Sequence, residues 1–156
     1  MRKSWALVGI SSCVLMALGC IDPEDRRPGL RLSGEVVEEP VDDWSFSDAY
    51  KEIYLETRPP WWIPHSITIL ATSLEGKLYV HAQHPEEKRW VDFVARDPRV
   101  RLEIGDKIYA RRLEPVEDPA RQEAIYRDFA EKYGWQPEPP EERVPMRFFH
   151  VAERKG

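Results

Sequence analysis

The stretch SITILATSLEGKLYVHAQ, residues 66–83, decides how this chain folds. Two runs rich in β-branched and aromatic residues, SITILAT (66–72) and KLYVHAQ (77–83), flank a short connection containing Gly76. That arrangement predicts a β-hairpin. His84 and Pro85 close the second run, and from Glu87 to Ala95 the spacing becomes helical, with Trp90, Val91, Val94 and Ala95 near one face. The helix stops at Asp97-Pro98. Beyond it, VRLEIGDKIYARRLEPV (100–116) predicts a second strand pair that turns at Gly105 and Asp106.

Working outward, KEIYLET (51–57) alternates Ile53 and Leu55 against Tyr54 and Glu56, as a half-buried strand does. Farther back, LRLSGEVV (30–37) shows a weaker alternation that Glu38, Glu39 and Pro40 end. The segment between KEIYLET and the hairpin, RPPWWIP (58–64), is a stiff break. On the C-terminal side, DPARQEAIYRDFAEKYGW (118–135) predicts a helix: Asp118 suits the N-cap, Pro119 the first helical position and Gly134 the stop. After the Pro- and Glu-rich QPEPPEERVP (136–145), MRFFHVAE (146–153) predicts a final strand. About six strands and two helices, with hairpins dominating, argue for a small antiparallel barrel carrying helices and against a parallel Rossmann sheet.

The N-terminal MRKSWALVGISSCVLMALGC (1–20) reads as an export signal. Arg2 and Lys3 form a positive start, and Trp5 to Leu18 is an uncharged, mostly apolar stretch too short for an ordinary membrane-spanning helix. Ala17, Leu18, Gly19 and Cys20 resemble a lipobox, which implies cleavage before Cys20 and acylation of its thiol. The expected organisation is a signal peptide over 1–19, a tether over 20–29 and one domain over 30–156. The expected location is the cell envelope, with the lipid holding the chain on the extracytoplasmic side of a membrane.

Removing residues 1–19 leaves 137 residues and takes two cations with it, so the formal net charge moves from −5 to −7. An acidic domain of this kind argues against nucleic acid as a partner. Cys13 lies inside the signal and Cys20 would carry lipid, so the remaining domain has no thiol for a disulfide, a metal or covalent catalysis.

The stretch from Gly76 to Trp135 resembles the split-barrel proteins related to pyridoxamine-phosphate oxidase and the deazaflavin-dependent nitroreductases. The elements carrying the likeness are Lys88-Arg89-Trp90 at a helix start, the step DPRV (97–100), the pair Gly105 to Tyr109, and the helix ending KYGW (132–135). The resemblance implies a six-stranded antiparallel split β-barrel, mainly β with two helices, commonly a homodimer, holding FMN or the deazaflavin F420 in a groove. It also implies hydride transfer at the ring of that cofactor, with the protein positioning the reactants. F420-binding relatives carry a Gly-Arg/Lys-Ser-Gly stretch before the first hairpin strand. Here RPPWWIPHS stands in its place, and only Arg58 replaces the missing phosphate-binding groups.

The candidate cofactor-binding residues are therefore Arg58, Trp61, Trp62, Lys88, Arg89, Trp90 and Tyr109. Lys88 and Arg89, at a helix N-terminus, are placed to hold a phosphate; the alternative is a solvated helix start balanced by Glu86 and Glu87. Adjacent Trp61 and Trp62 in a stiff loop cannot both point inward, so at least one lines a groove or a contact surface and can stack on a planar ligand. Trp90 and Tyr109 are ring-edge contacts or core residues. Arg111 and Arg112 join a basic patch with Lys88 and Arg89 if the barrel brings them together. His81 and His84 are spaced like a metal pair but lack a third ligand nearby, and no metal is expected there. Three function classes stay open: an FMN- or F420-dependent oxidoreductase of the nitroreductase kind, a non-catalytic module that binds a small planar ligand or a neighbouring protein without cofactor, and a structural lipoprotein whose barrel serves only as a dimerisation unit.

Overall fold

The computed structural model describes residues 29–154. The expected signal peptide, Cys20 and nearly all of the expected tether lie outside the described residues. Eight strands form one sheet: β1 (Glu35–Val37), β2 (Ile53–Thr57), β3 (His65–Ile69), β4 (Ala71–Leu74), β5 (Lys77–Gln83), β6 (Arg99–Ile104), β7 (Lys107–Pro115) and β8 (Met146–Glu153). Helix α1 spans Arg89–Arg96 and α2 spans Pro119–Tyr133. No helix among the described residues is long and apolar enough to cross a membrane.

The strand order is β3-β2-β6-β7-β8-β5-β4, with β1 added in parallel to β7. Its two ends, β3 and β4, are separated in the chain by Leu70 alone. A sheet whose edges belong to one almost continuous strand must curl until those edges meet, which makes six staves around a barrel. The run SITILAT is therefore one bent stave. Its side-chain alternation continues through the bend, with Ile69 and Ala71 in the barrel core and Leu70 packed outside it. What changes at Leu70 is the hydrogen-bonding partner, from β2 to β5. The predicted hairpin thus exists as β4–β5, and its turn puts Glu75 and Gly76 both at positive φ, 54° and 72°. That is the twist a two-residue hairpin connection requires.

The barrel interior is filled by inward residues of the staves, among them Ile53, Leu55, Leu78, Val80, Leu102 and Val151, and is closed by Trp90, Val91 and Val94 of α1. A second cluster, Tyr79, Ile125, Tyr126, Phe129 and Phe148, lies between α2 and the outer face of β5 and β8. Both faces of β5 are therefore covered, which explains why its five central residues are all buried. Helix α2 starts and stops where the sequence predicts: the Asp118 carboxylate accepts from the Arg121 N–H at 2.9 Å, and Gly134 takes a left-handed φ of 66°. Near its C-terminal end the Tyr133 hydroxyl donates to the Ala71 carbonyl at 2.8 Å and accepts from the Ala71 N–H at 3.2 Å, which holds the stave bend.

The weak alternation over 30–37 yields only the three residues of β1, because the chain before it is tied by side chains instead of a ladder. Glu56, 5% exposed, accepts from the Leu32 N–H and from Arg101 Nη1, both at 2.8 Å. Arg101 in turn donates to the Leu32 carbonyl at 3.1 Å.

Candidate functional site

Helix α1 and the β2–β3 loop create two cavities. Trp61 meets Phe93 of α1 edge-on, with centroids 5.3 Å apart, and the Arg89 guanidinium lies 5.8 Å over the Trp61 ring. These contacts clip the proline-rich loop along the helix. The next residue points away: Trp62 is 93% exposed and has a φ of 68°. Of the two adjacent indoles, one packs and one faces outward.

The first cavity, about 470 Å³, opens at the start of α1, where Lys88, Arg89 and Trp90 face β3 and β5. Lys88 makes no ion pair or side-chain hydrogen bond among the described residues, and Arg89 reaches only the Trp61 ring. Glu86 is turned toward His84 instead, 3.5 Å from its Nδ1. Across the groove stand His65, Thr68 and His81. Thr68 Oγ1 and His81 Nδ1 are buried without a hydrogen-bond partner among the described residues. Burial pushes His81 down to about 4, so its imidazole is neutral at ordinary pH. His65 is lowered as well, first by burial and then by the Arg89 charge. The positive charge in this groove therefore comes from Lys88 and Arg89 alone, and Glu52 and Glu87 line the same groove without an ion pair to either among the described residues. Trp90 is almost wholly in the core, its ring 5.4 Å from that of Phe149, and lends the groove only an edge.

The second cavity, about 440 Å³, lies at the other end of α1, between Arg96, Asp97, the start of β6 and the β2–β3 loop. Arg58 and Trp62 line it. The sequence-predicted residues thus divide between the two cavities. Tyr109 belongs to neither: it is buried in the barrel interior, its ring 5.1 Å from that of Trp44. Arg111 does not join Lys88. It is buried, ion-paired to Glu153 at 3.0 Å, and donates to the Glu39 carbonyl at 3.2 Å, which fastens the segment after β1. His81 and His84 do not form a pair; His84 instead gathers with Glu86 and Glu87, ligand atoms within 4.8 Å of one another, on the surface turn before α1.

Sequence reasoning did not single out Thr68 as a groove residue, nor Arg31, Arg96, Arg99 and Arg101 around the second cavity. The alternation of Arg99 and Arg101 along one strand was a usable signal, because residues two apart share a face.

This stave order, with a helix crossing between β5 and β6 and another between β7 and β8, defines a split β-barrel. Among solved structures, the chain is similar to a putative 5-nitroimidazole antibiotic resistance protein from Bacteroides thetaiotaomicron, with a TM-score of 0.57 at 12% identity over 83% of this chain and 89% of that one. A conserved hypothetical protein from Mycobacterium tuberculosis gives 0.57 at 19% identity over 70% and 77%. A putative pyridoxamine 5′-phosphate oxidase from Listeria innocua gives 0.54 at 15% identity over 70% and 88%. The fold is that of the split-barrel, pyridoxamine-phosphate-oxidase-like proteins. No family model and no curated protein sequence matches the chain.

Proposed function

We propose that this protein is an envelope-anchored split-barrel oxidoreductase that holds FMN or F420 in the groove at the start of α1. The observation that carries this reading is the groove itself. Two cations free of carboxylate partners stand at a helix N-terminus, opposite two buried polar atoms, Thr68 Oγ1 and His81 Nδ1, that lack hydrogen bonds. A phosphate suits Lys88, Arg89 and the helix N–H groups, and a polar ring edge suits the orphaned atoms. When bound, such a cofactor supplies hydride transfer at its ring. The chain's own part is to neutralise the phosphate, present neutral imidazoles to the ring, and exclude water with Trp61 and the edge of Trp90. Names of the fold neighbours support the reading, since one is a putative nitroimidazole resistance protein and another a putative pyridoxamine 5′-phosphate oxidase. The lipobox-like ALGC at residues 17–20 supports the anchor. Exposed Trp61 and Ile63 of the β2–β3 loop supply apolar surface for a second copy, so the proposed working unit is a homodimer.

A second reading is favoured by one observation: RPPWWIP replaces a Gly-rich phosphate loop, and its Trp62 projects into solvent. On that reading the barrel is a binding module without redox chemistry. The purified full chain, examined by absorption spectroscopy and titrated with FMN and F420 while tryptophan fluorescence is followed, separates the two. A bound chromophore, or saturable quenching with micromolar affinity, supports the oxidoreductase; a colourless protein indifferent to both compounds supports the binding module.

A further inference from the structure

The second cavity collects charge in a way that stability alone does not require. Five guanidinium groups, those of Arg31, Arg58, Arg96, Arg99 and Arg101, line it against two carboxylates, Glu56 and Asp97, a formal excess of three positive charges. The whole chain has a net charge of −5. Two of the five are committed: Arg101 to buried Glu56 at 2.8 Å, and Arg99 to Asp97 through bonds of 2.8 and 2.7 Å. Arg31, Arg58 and Arg96 make no ion pair or side-chain hydrogen bond among the described residues. They come from three separate segments, the approach to β1, the β2–β3 loop and the last turn of α1. Behind the cavity wall Arg154 is held by the carbonyls of Val100 at 2.7 Å and Arg111 at 3.2 Å, and its guanidinium is pushed below its ordinary range first by burial and then by the charges of Arg58, Arg99 and Arg101.

At the rim stands Trp62. A bulky residue with φ of 68° is a genuine backbone outlier, and here it is 93% exposed, so no core contact repays the conformation. The loop around it is nevertheless fixed, by three prolines and by Trp61 against Phe93. The indole is thus held outward beside a well of guanidinium groups.

We infer that this cavity is a second ligand site, separate from the cofactor groove, that takes the diphosphate of a planar heteroaromatic compound, of the nucleoside diphosphate class, with phosphates on Arg58, Arg96 and Arg31 and the ring on Trp62. Guanidinium forks match phosphate oxygens in geometry and charge. The cavity volume of about 440 Å³ suits a ligand of that size. An exposed indole gives a planar ring a stacking face whatever its substituents.

Pyrophosphate and ADP, titrated separately into the full chain by calorimetry, test the site. Both are expected to bind saturably, with ADP about ten-fold tighter because of stacking. The double variant Arg58→Gln/Arg96→Gln, whose side chains make no ion pair or hydrogen bond among the described residues, should weaken both at least about ten-fold while leaving FMN binding intact. Trp62→Ala should erase the advantage of ADP over pyrophosphate. Lys88→Ala/Arg89→Ala should leave both affinities unchanged, whether or not FMN still binds. Failure of pyrophosphate to bind at millimolar concentration overturns the inference. So does binding that Arg58→Gln/Arg96→Gln leaves untouched, or that Lys88→Ala/Arg89→Ala removes.

Discussion

The two ends of α1 carry cations for opposite physical reasons. At its C-terminal end, the Asp97–Arg99 pair sits just past the last turn, and Arg101 completes a buried ion pair that ties residue 32 to the sheet. At its N-terminal end, Lys88 and Arg89 sit where the dipole disfavours positive charge, and although Asp92, Glu52 and Glu87 stand nearby, no carboxylate pairs with either cation among the described residues. The first set contributes to the fold. The second set costs the helix a little, a cost that the proposed anionic ligand would offset.

The largest effect that sharpens this contrast is expected at Glu56. Glu56→Ala leaves the Arg101 charge and the Leu32 N–H without their partner in a nearly dry place. Unfolding in urea should show a loss of about 3–5 kcal/mol, the range for a broken buried pair. A loss under about 1 kcal/mol would mean that this end of α1 is no more structural than the other.

His81 gives the next effect, through pH. Its folded pKa, about 4, lies below the ordinary value of 6.5, so between those values the unfolded chain binds more protons than the folded one. Stability then rises with pH across that window, is fully present above about 6.5, and is lost as pH falls toward 4. The difference amounts to about 3 kcal/mol. His81→Phe should flatten the dependence, measured as urea midpoints at several pH values; an unchanged slope would place the acid sensitivity elsewhere.

A smaller effect belongs to Tyr133. Burial raises its hydroxyl to about 12, so it stays a donor to the Ala71 carbonyl throughout the working range. Tyr133→Phe should cost about 1 kcal/mol in urea unfolding. A neutral result would mean that the stave bend at Leu70 holds itself.

The bend also shows what the sequence conceals. Ile69, Leu70 and Ala71 keep strict alternation, so periodicity sees one strand; partner exchange is a property of the whole sheet and leaves no local mark. Elements fixed by local chemistry were legible, such as α2 with its Asp118 cap and Gly134 stop, and β8 over residues 146–153. The groove at the start of α1 was half legible: Lys88-Arg89-Trp90 is contiguous, but Thr68 and His81 face it only because β3 and β5 both border it. The arginine cavity was the least legible, because its residues come from four segments and only Arg99 and Arg101 stand in register within one strand.

The smallest expected effect on stability is at Lys88 and Arg89, and there the central claim is most exposed. The decisive measurement is FMN titration and thermal unfolding of Lys88→Ala/Arg89→Ala beside the unaltered chain. The account predicts that the variant melts within about 1–2 °C of the parent, since losing the Arg89–Trp61 contact is offset by removing charges the dipole disfavours, while the saturable FMN binding of the parent is lost. A variant that binds FMN as the parent does, or a parent that binds none, would contradict the assignment of this groove.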